Sequence, residues 1–117
     1  MNQPLVSLLA AATLALGALS CQGNTIGLAC TVDQDCDRGQ SCFTETTPGG
    51  FPGGFCTKGC VREGVSTDCP AGSICTRTSA ANPTVFCSSP CTGDSQCRGG
   101  QYACRAITNS TERACAP

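Results

Sequence analysis

The sequence predicts a small disulfide-rich fold: three tandem four-cysteine units, each a tight turn plus a short β-hairpin, with little regular secondary structure. Three observations carry this reading. The chain holds 13 cysteines in 117 residues, above the roughly 8–10% that marks a disulfide scaffold. One outline (Cys, polar loop, Cys, Gly three residues on, Cys, longer gap, Cys) begins at Cys30, again at Cys60 and again at Cys91, and a period near 30 residues marks an array of similar units. From Gln22 onward Leu, Ile, Val and Phe together number 12 in 96 positions, below the roughly 20% that a chain without other support needs in order to fold. Covalent bridges stand in for the missing apolar core, each contributing about 3 kcal/mol for loops of this length in the chain-entropy model.

Residues 1–20 read as a signal peptide. The apolar run from Leu5 to Leu19 covers about 15 residues, short of the roughly 20 that a membrane-spanning helix needs. Its end, Ala18-Leu19-Ser20-Cys21, resembles the lipobox of bacterial lipoproteins. That resemblance implies lipidation of Cys21 as the first mature residue, and Gln22 beside it implies sorting to the outer membrane. Ordinary cleavage after Ser20, on the small-x-small pattern of Ala18-Leu19-Ser20, is the alternative. Cysteine arithmetic favours lipidation, because removing Cys21 from 13 leaves 12, which divide into three sets of four. Residues 21–29 then serve as lipid attachment and tether, since QGNTIGLA is too polar and Gly-rich to form an element of its own.

The units are expected at 30–56, 60–87 and 91–115, joined by the linkers Thr57-Lys58-Gly59 and Ser88-Ser89-Pro90. Gly39, Gly72 and Gly100 each sit three residues after the second Cys, where the chain needs a positive φ to bring the third Cys back. Asp33, Ser66 and Asp94 each sit three residues before it, where a short side-chain oxygen caps a single helical turn or an Asx turn. Between third and fourth Cys the pattern is a hairpin, turning at Pro48-Gly49-Gly50, at Ala81-Asn82-Pro83 and at Asn109-Ser110. Phe55 and Phe86 precede their fourth Cys and are expected to cover disulfides. Ala114 in the same place predicts a looser third unit.

Four cysteines allow three connectivities, which sequence alone does not settle. Cys115 is followed only by Ala116 and Pro117, so bridges are expected to close within units. The Gly turn brings the third Cys towards the first, and the returning strand brings the fourth to the second. The pairs this favours are Cys30 with Cys42, Cys36 with Cys56, Cys60 with Cys75, Cys69 with Cys87, Cys91 with Cys104, and Cys97 with Cys115. The stretch CTVDQDCDRGQSC, Cys30 to Cys42, resembles part of whey acidic protein domains and of the N-terminal cysteine-rich domain of Dickkopf proteins. It also resembles the repeats of secreted bacterial cysteine-rich proteins known as Dickkopf-like. The first resemblance implies first-to-third pairing as well.

Several chemistries are set aside by composition. There is no histidine, which removes His-dependent triads, bases and metal sites. No C-x-x-C pair occurs, which argues against zinc thiolate sites and redox catalysis. Asp33, Asp35 and Asp37 cluster around Cys36, yet the later units keep only Asp68 and Asp94, so capping outweighs calcium binding. A net charge of -1 offers no basic face for nucleic acid. Asn109-Ser110-Thr111 fits an N-glycosylation acceptor in a eukaryotic host. The six arginines are spread singly, as solvated charges are. The expectation is a non-enzymatic protein without cofactor or metal, secreted or anchored at the outer membrane, acting as a binding or structural module on an extracellular protein or glycan. Pro48, Gly49, Gly50, Phe51 and Pro52 form the expected contact loop. The alternative is an inhibitor of extracellular proteases presenting a disulfide-braced loop.

Overall fold

Apart from Arg105, the residues next to the third and fourth cysteines of each unit are β-branched, aromatic or small, and each of these cysteines lies in a strand of only three or four residues. The computed structural model describes residues 24–79 and 81–117, so the expected signal peptide and Cys21 lie outside the described residues. Strands β1 (Ser41–Phe43) and β2 (Phe55–Thr57) pair antiparallel, as do β3 (Ile74–Arg77) with β4 (Val85–Ser88) and β5 (Ala103–Ala106) with β6 (Arg113–Ala116). The protein is a small disulfide-rich fold of three such hairpin units.

The six bridges join first to third and second to fourth cysteines: Cys30–Cys42, Cys36–Cys56, Cys60–Cys75, Cys69–Cys87, Cys91–Cys104 and Cys97–Cys115. Third and fourth cysteines face each other across each hairpin, at Cys42↔Cys56, Cys75↔Cys87 and Cys104↔Cys115, yet neither bonds to the other. Each reaches outward instead. The two bridges of a unit therefore lie together, with the sulfurs of Cys30, Cys36 and Cys56 within 4.8 Å of one another and the same arrangement in the other units.

A short turn precedes the second Cys, as the polar loop predicts. It is a 3₁₀ turn at Asp33–Asp35 and at Asp94–Gln96, and in the middle unit a turn closed by the Cys69 N–H donating to the Ser66 carbonyl at 3.0 Å. The capping expectation for Asp33 and Asp94 is corrected. Their carboxylates accept not from local backbone but from the N–H of the third Cys, Asp33 from Cys42 at 2.8 Å and Asp94 from Cys104 at 2.9 Å. In the middle unit the longer first loop supplies the Val65 carbonyl to the Cys75 N–H at 3.0 Å, and Ser66 is left out of that role. The cysteine N–H on the outer edge of every hairpin is thus taken.

The cap itself is one residue before the second Cys. Asp35 accepts from the N–H groups of Thr31 and Val32 at 2.9 and 3.2 Å, Asp68 from Val61 at 3.3 Å, and Gln96 from Thr92 and Gly93 at 2.5 and 3.3 Å. A carbonyl oxygen on two or three bonds reaches back over the loop that follows the first Cys. Its bonds with Thr31 and Val32 hold the Asp35 carboxyl below its ordinary value of 3.8. A depressed carboxyl contributes stability that is present above the unfolded pKa and lost as pH falls through the folded one. Thermal midpoints are therefore expected to drop between about pH 5 and about pH 2, and Asp35→Asn, which keeps an acceptor without the charge, to flatten that slope.

The linkers are part of the sheets. In each unit the residue two before the first Cys lends its carbonyl to the N–H of the fourth: Leu28 to Cys56 at 2.9 Å, Lys58 to Cys87 at 3.0 Å, Ser89 to Cys115 at 3.0 Å. This corrects the tether expected at 21–29, since Gly27 and Leu28 pair with Cys56 as Lys58 and Ser89 do further on. Ile26 is buried, the Asn24 side chain donates to the Ala71 carbonyl at 2.9 Å, and the Thr25 hydroxyl accepts from the Asp37 N–H at 2.9 Å. The segment is held by its two backbone bonds with Cys56 and by these side-chain contacts.

Bridges close within units, but the packing does not. Phe51, Phe55, Phe86, Tyr102 and Ala116, from all three units, form one buried cluster with Phe43 and Cys97 against it. Hydroxyls stitch units together behind it: the fully buried Thr57 donates to the Cys87 carbonyl and Ser88 to the Cys115 carbonyl, each at 2.5 Å. Ala114 is buried with Ile74 and Ile107, so the third unit is not looser for lacking a phenylalanine. Ile74 from the middle unit fills that space.

Candidate functional site

Cys97 is tied to Cys115, which places the next residue, Arg98, over the seam between the first and third units. Its guanidinium donates to the carbonyls of Gly27 at 3.1 Å, Gly54 at 2.6 Å and Pro52, and lies 4.3 Å from the centre of the Tyr102 ring. Tyr102 in turn donates its hydroxyl to the Pro52 carbonyl at 2.9 Å and stacks on Phe55 with ring centres 5.4 Å apart. Burial pushes the Tyr102 phenol above its ordinary value of 10.0, with Arg98 pulling the other way. Arg38, Arg62, Arg98, Arg105 and Arg113 are exposed, as expected of solvated charges, and Arg77 is half-buried, but several of these side chains also hold the backbone. Arg113 likewise donates to the carbonyls of Thr92 and Cys104, Arg105 to that of Ala116, and Arg77 pairs with Glu63 at 2.7 Å.

Only a planar fork can serve three carbonyls and a ring face at once. Arg98→Lys is expected to keep one of these bonds and to cost about 1–2 kcal/mol. Urea unfolding read by fluorescence of Tyr102, the single tyrosine of a chain without tryptophan, measures it.

Beside this clamp is a cleft of about 230 Å³ lined by Ile26, Leu28, Phe55, Ser89, Gln96 and Tyr102 among others. Leu28 stands at 57% exposure along it. A second hollow of about 340 Å³ is a shallow one, lined by Thr31, Thr44, Glu45, Thr46, Gly53 and their neighbours.

The expected contact loop is a different object. Phe51 is fully buried, meeting Phe43, Phe55 and Phe86 with ring centres 5.4, 5.6 and 5.0 Å away. Pro48 and Gly49 remain exposed, Gly50 and Pro52 are half-buried, and Gly49 faces Thr78 and Asn82 of the middle hairpin. The loop is long because it carries a ring into a core shared by three units. The acids around Cys36 do not converge either: Asp33 holds Cys42 and Asp35 holds Thr31 and Val32. Among the described residues, the clustered metal-ligating atoms are cysteine sulfurs already joined in bridges.

Arg98 and Tyr102 escape a reading based on repeats because each belongs to one unit only. The reach-back cap had a signal: Asp35, Asp68 and Gln96 share both a position and a side-chain carbonyl. Six bridges fit an oxidising, extracellular environment. No helix among the described residues is long and apolar enough to cross a membrane. Comparison with known proteins finds no matching family model, no matching curated protein and no matching solved structure.

Proposed function

We propose that the protein is an exported, cysteine-rich module that works at the cell surface by binding or by structural support, and that it is held at the outer membrane through lipid on Cys21. One observation carries this reading: the six bridges use every cysteine except Cys21. A leftover cysteine at the end of an apolar leader is where an acyl group would be placed. Support for a non-catalytic role comes from the charged side chains, since Asp33, Asp35, Asp94, Arg98 and Arg113 are each engaged with backbone. Of the two hollows, the cleft beside Leu28 is the more enclosed and is the one this reading gives to an extracellular ligand. At about 230 Å³ it is smaller than the roughly 300–1,000 Å³ of small-molecule sites and suits one apolar side chain of a protein partner.

The intact mass of the protein from native membranes tests the reading. The expected species begins at Cys21, carries a diacylglycerol and an acyl chain, and lacks the 12 hydrogens of six bridges. An unmodified chain beginning at Cys21 removes the anchor, and a chain with free thiols among the other cysteines removes the exported module.

A further inference from the structure

Asn24, at the start of the described residues, already touches the folded body: its side chain donates to the Ala71 carbonyl, and Thr25 bonds with Gln40 and Asp37 and Gly27 with Cys56. Between Cys21 and Asn24 the sequence has two residues, Gln22 and Gly23. Three Cα–Cα steps span at most roughly 11 Å whatever conformation they take. The headgroup layer on one side of a bilayer is about 5–8 Å thick. From these lengths we infer that the anchored protein rests directly on the lipid headgroups through the face around Asn24, made by the turns Asp37–Gln40 and Pro70–Ser73. The inference rests on the lipid anchor proposed above.

The composition of that face suits the position. Arg38, Gly39, Ala71 and Gly72 are exposed, with Asp37 and Gln40 partly so, and the single Asp and Arg offset each other. Such a face neither sinks into the acyl region nor is driven off anionic lipid, so the short covalent leash decides the contact. A spacer of nine residues would have left the body free to tumble. Docking of 24–29 removes that freedom and makes the orientation of the body on the membrane a property of the fold.

The test supplies the lipid chemically, which separates this inference from the question of whether the cell acylates Cys21. The chain from Cys21 onward is oxidised, its one remaining thiol is joined to a maleimide-bearing phospholipid, and the product is placed in phosphatidylcholine vesicles containing headgroup spin label. A fluorophore is clicked to an azido residue incorporated at position 71, or in a second preparation at position 38. Strong quenching is expected at both. Ten Gly/Ser residues inserted between Gly23 and Asn24 raise the reach to about 20 Å r.m.s. and are expected to cut quenching about twofold. Undocking with Asn24→Ala and Thr25→Val, which lengthens the leash without an insertion, is expected to act in the same direction. Quenching that is equal with and without the insertion overturns the inference, whatever the mass of the native protein proves to be.

Discussion

Gly54→Ala is expected to prevent the first unit from closing. A Cβ at Gly54 would lie 1.8 Å from the Cys30 carbonyl oxygen and 2.7 Å from its carbon, separations that non-bonded atoms do not adopt. The positive φ of 78° adds strain of about 1–2 kcal/mol on its own. Neither backbone can retreat. Cys30 is bonded to Cys42 and its N–H donates to Gly53 at 3.4 Å, while Cys56, two residues past Gly54, is bonded to Cys36. The cost should exceed about 4 kcal/mol, in the exceptional range for one substitution. Oxidative refolding followed by chromatography and mass measurement checks it: the parent is expected as one six-bridge species, the variant as a scrambled mixture. Gly50→Ala is the control, because its φ of 67° is equally left-handed but nothing lies near the added carbon, and it should cost only about 1–2 kcal/mol. If the Gly54 variant refolds as well as the Gly50 variant, the close approach to Cys30 is wrong.

Phe51→Ala is expected to lose about 3–5 kcal/mol, the cost of emptying a fully buried aromatic site. The more informative expectation is where the loss is felt. Phe51 meets Phe86 edge-on, with ring planes at 90° and centres 5.0 Å apart, and Phe55 stacks on Tyr102. Amide exchange should therefore quicken in β3–β4 and β5–β6 as well as in β1–β2. Faster exchange confined to the first hairpin would mean that the units are independent and the shared cluster contributes little.

The repeat outline made the units and the hairpins legible and favoured the pairing without settling it, because each is set within about 30 residues by cysteine and glycine spacing. What joins the units was not legible, and the reason is physical. Repeats reveal what neighbours have in common, whereas the interface between them is built from differences: Phe51 in a lengthened hairpin tip, Arg98 after one second Cys, Tyr102 before one third Cys. Residues 24–29 were misread for a related reason. QGNTIGLA has weak propensity for any element, but three residues before a first Cys is also where the linkers Thr57-Lys58-Gly59 and Ser88-Ser89-Pro90 sit. Leu28 holds the place of Lys58 and Ser89, and its carbonyl accepts from the fourth Cys as theirs do.

Hairpins of three or four residues would ordinarily leave a bare strand at every margin, and bare strands recruit one another into fibrils when chains are crowded. Here the cysteine N–H at each margin is already spoken for, by Asp33, by Val65 or by Asp94. A carboxylate at two of these margins also repels the same edge on a neighbouring copy. Copies packed side by side are thereby kept from zipping into cross-β sheets.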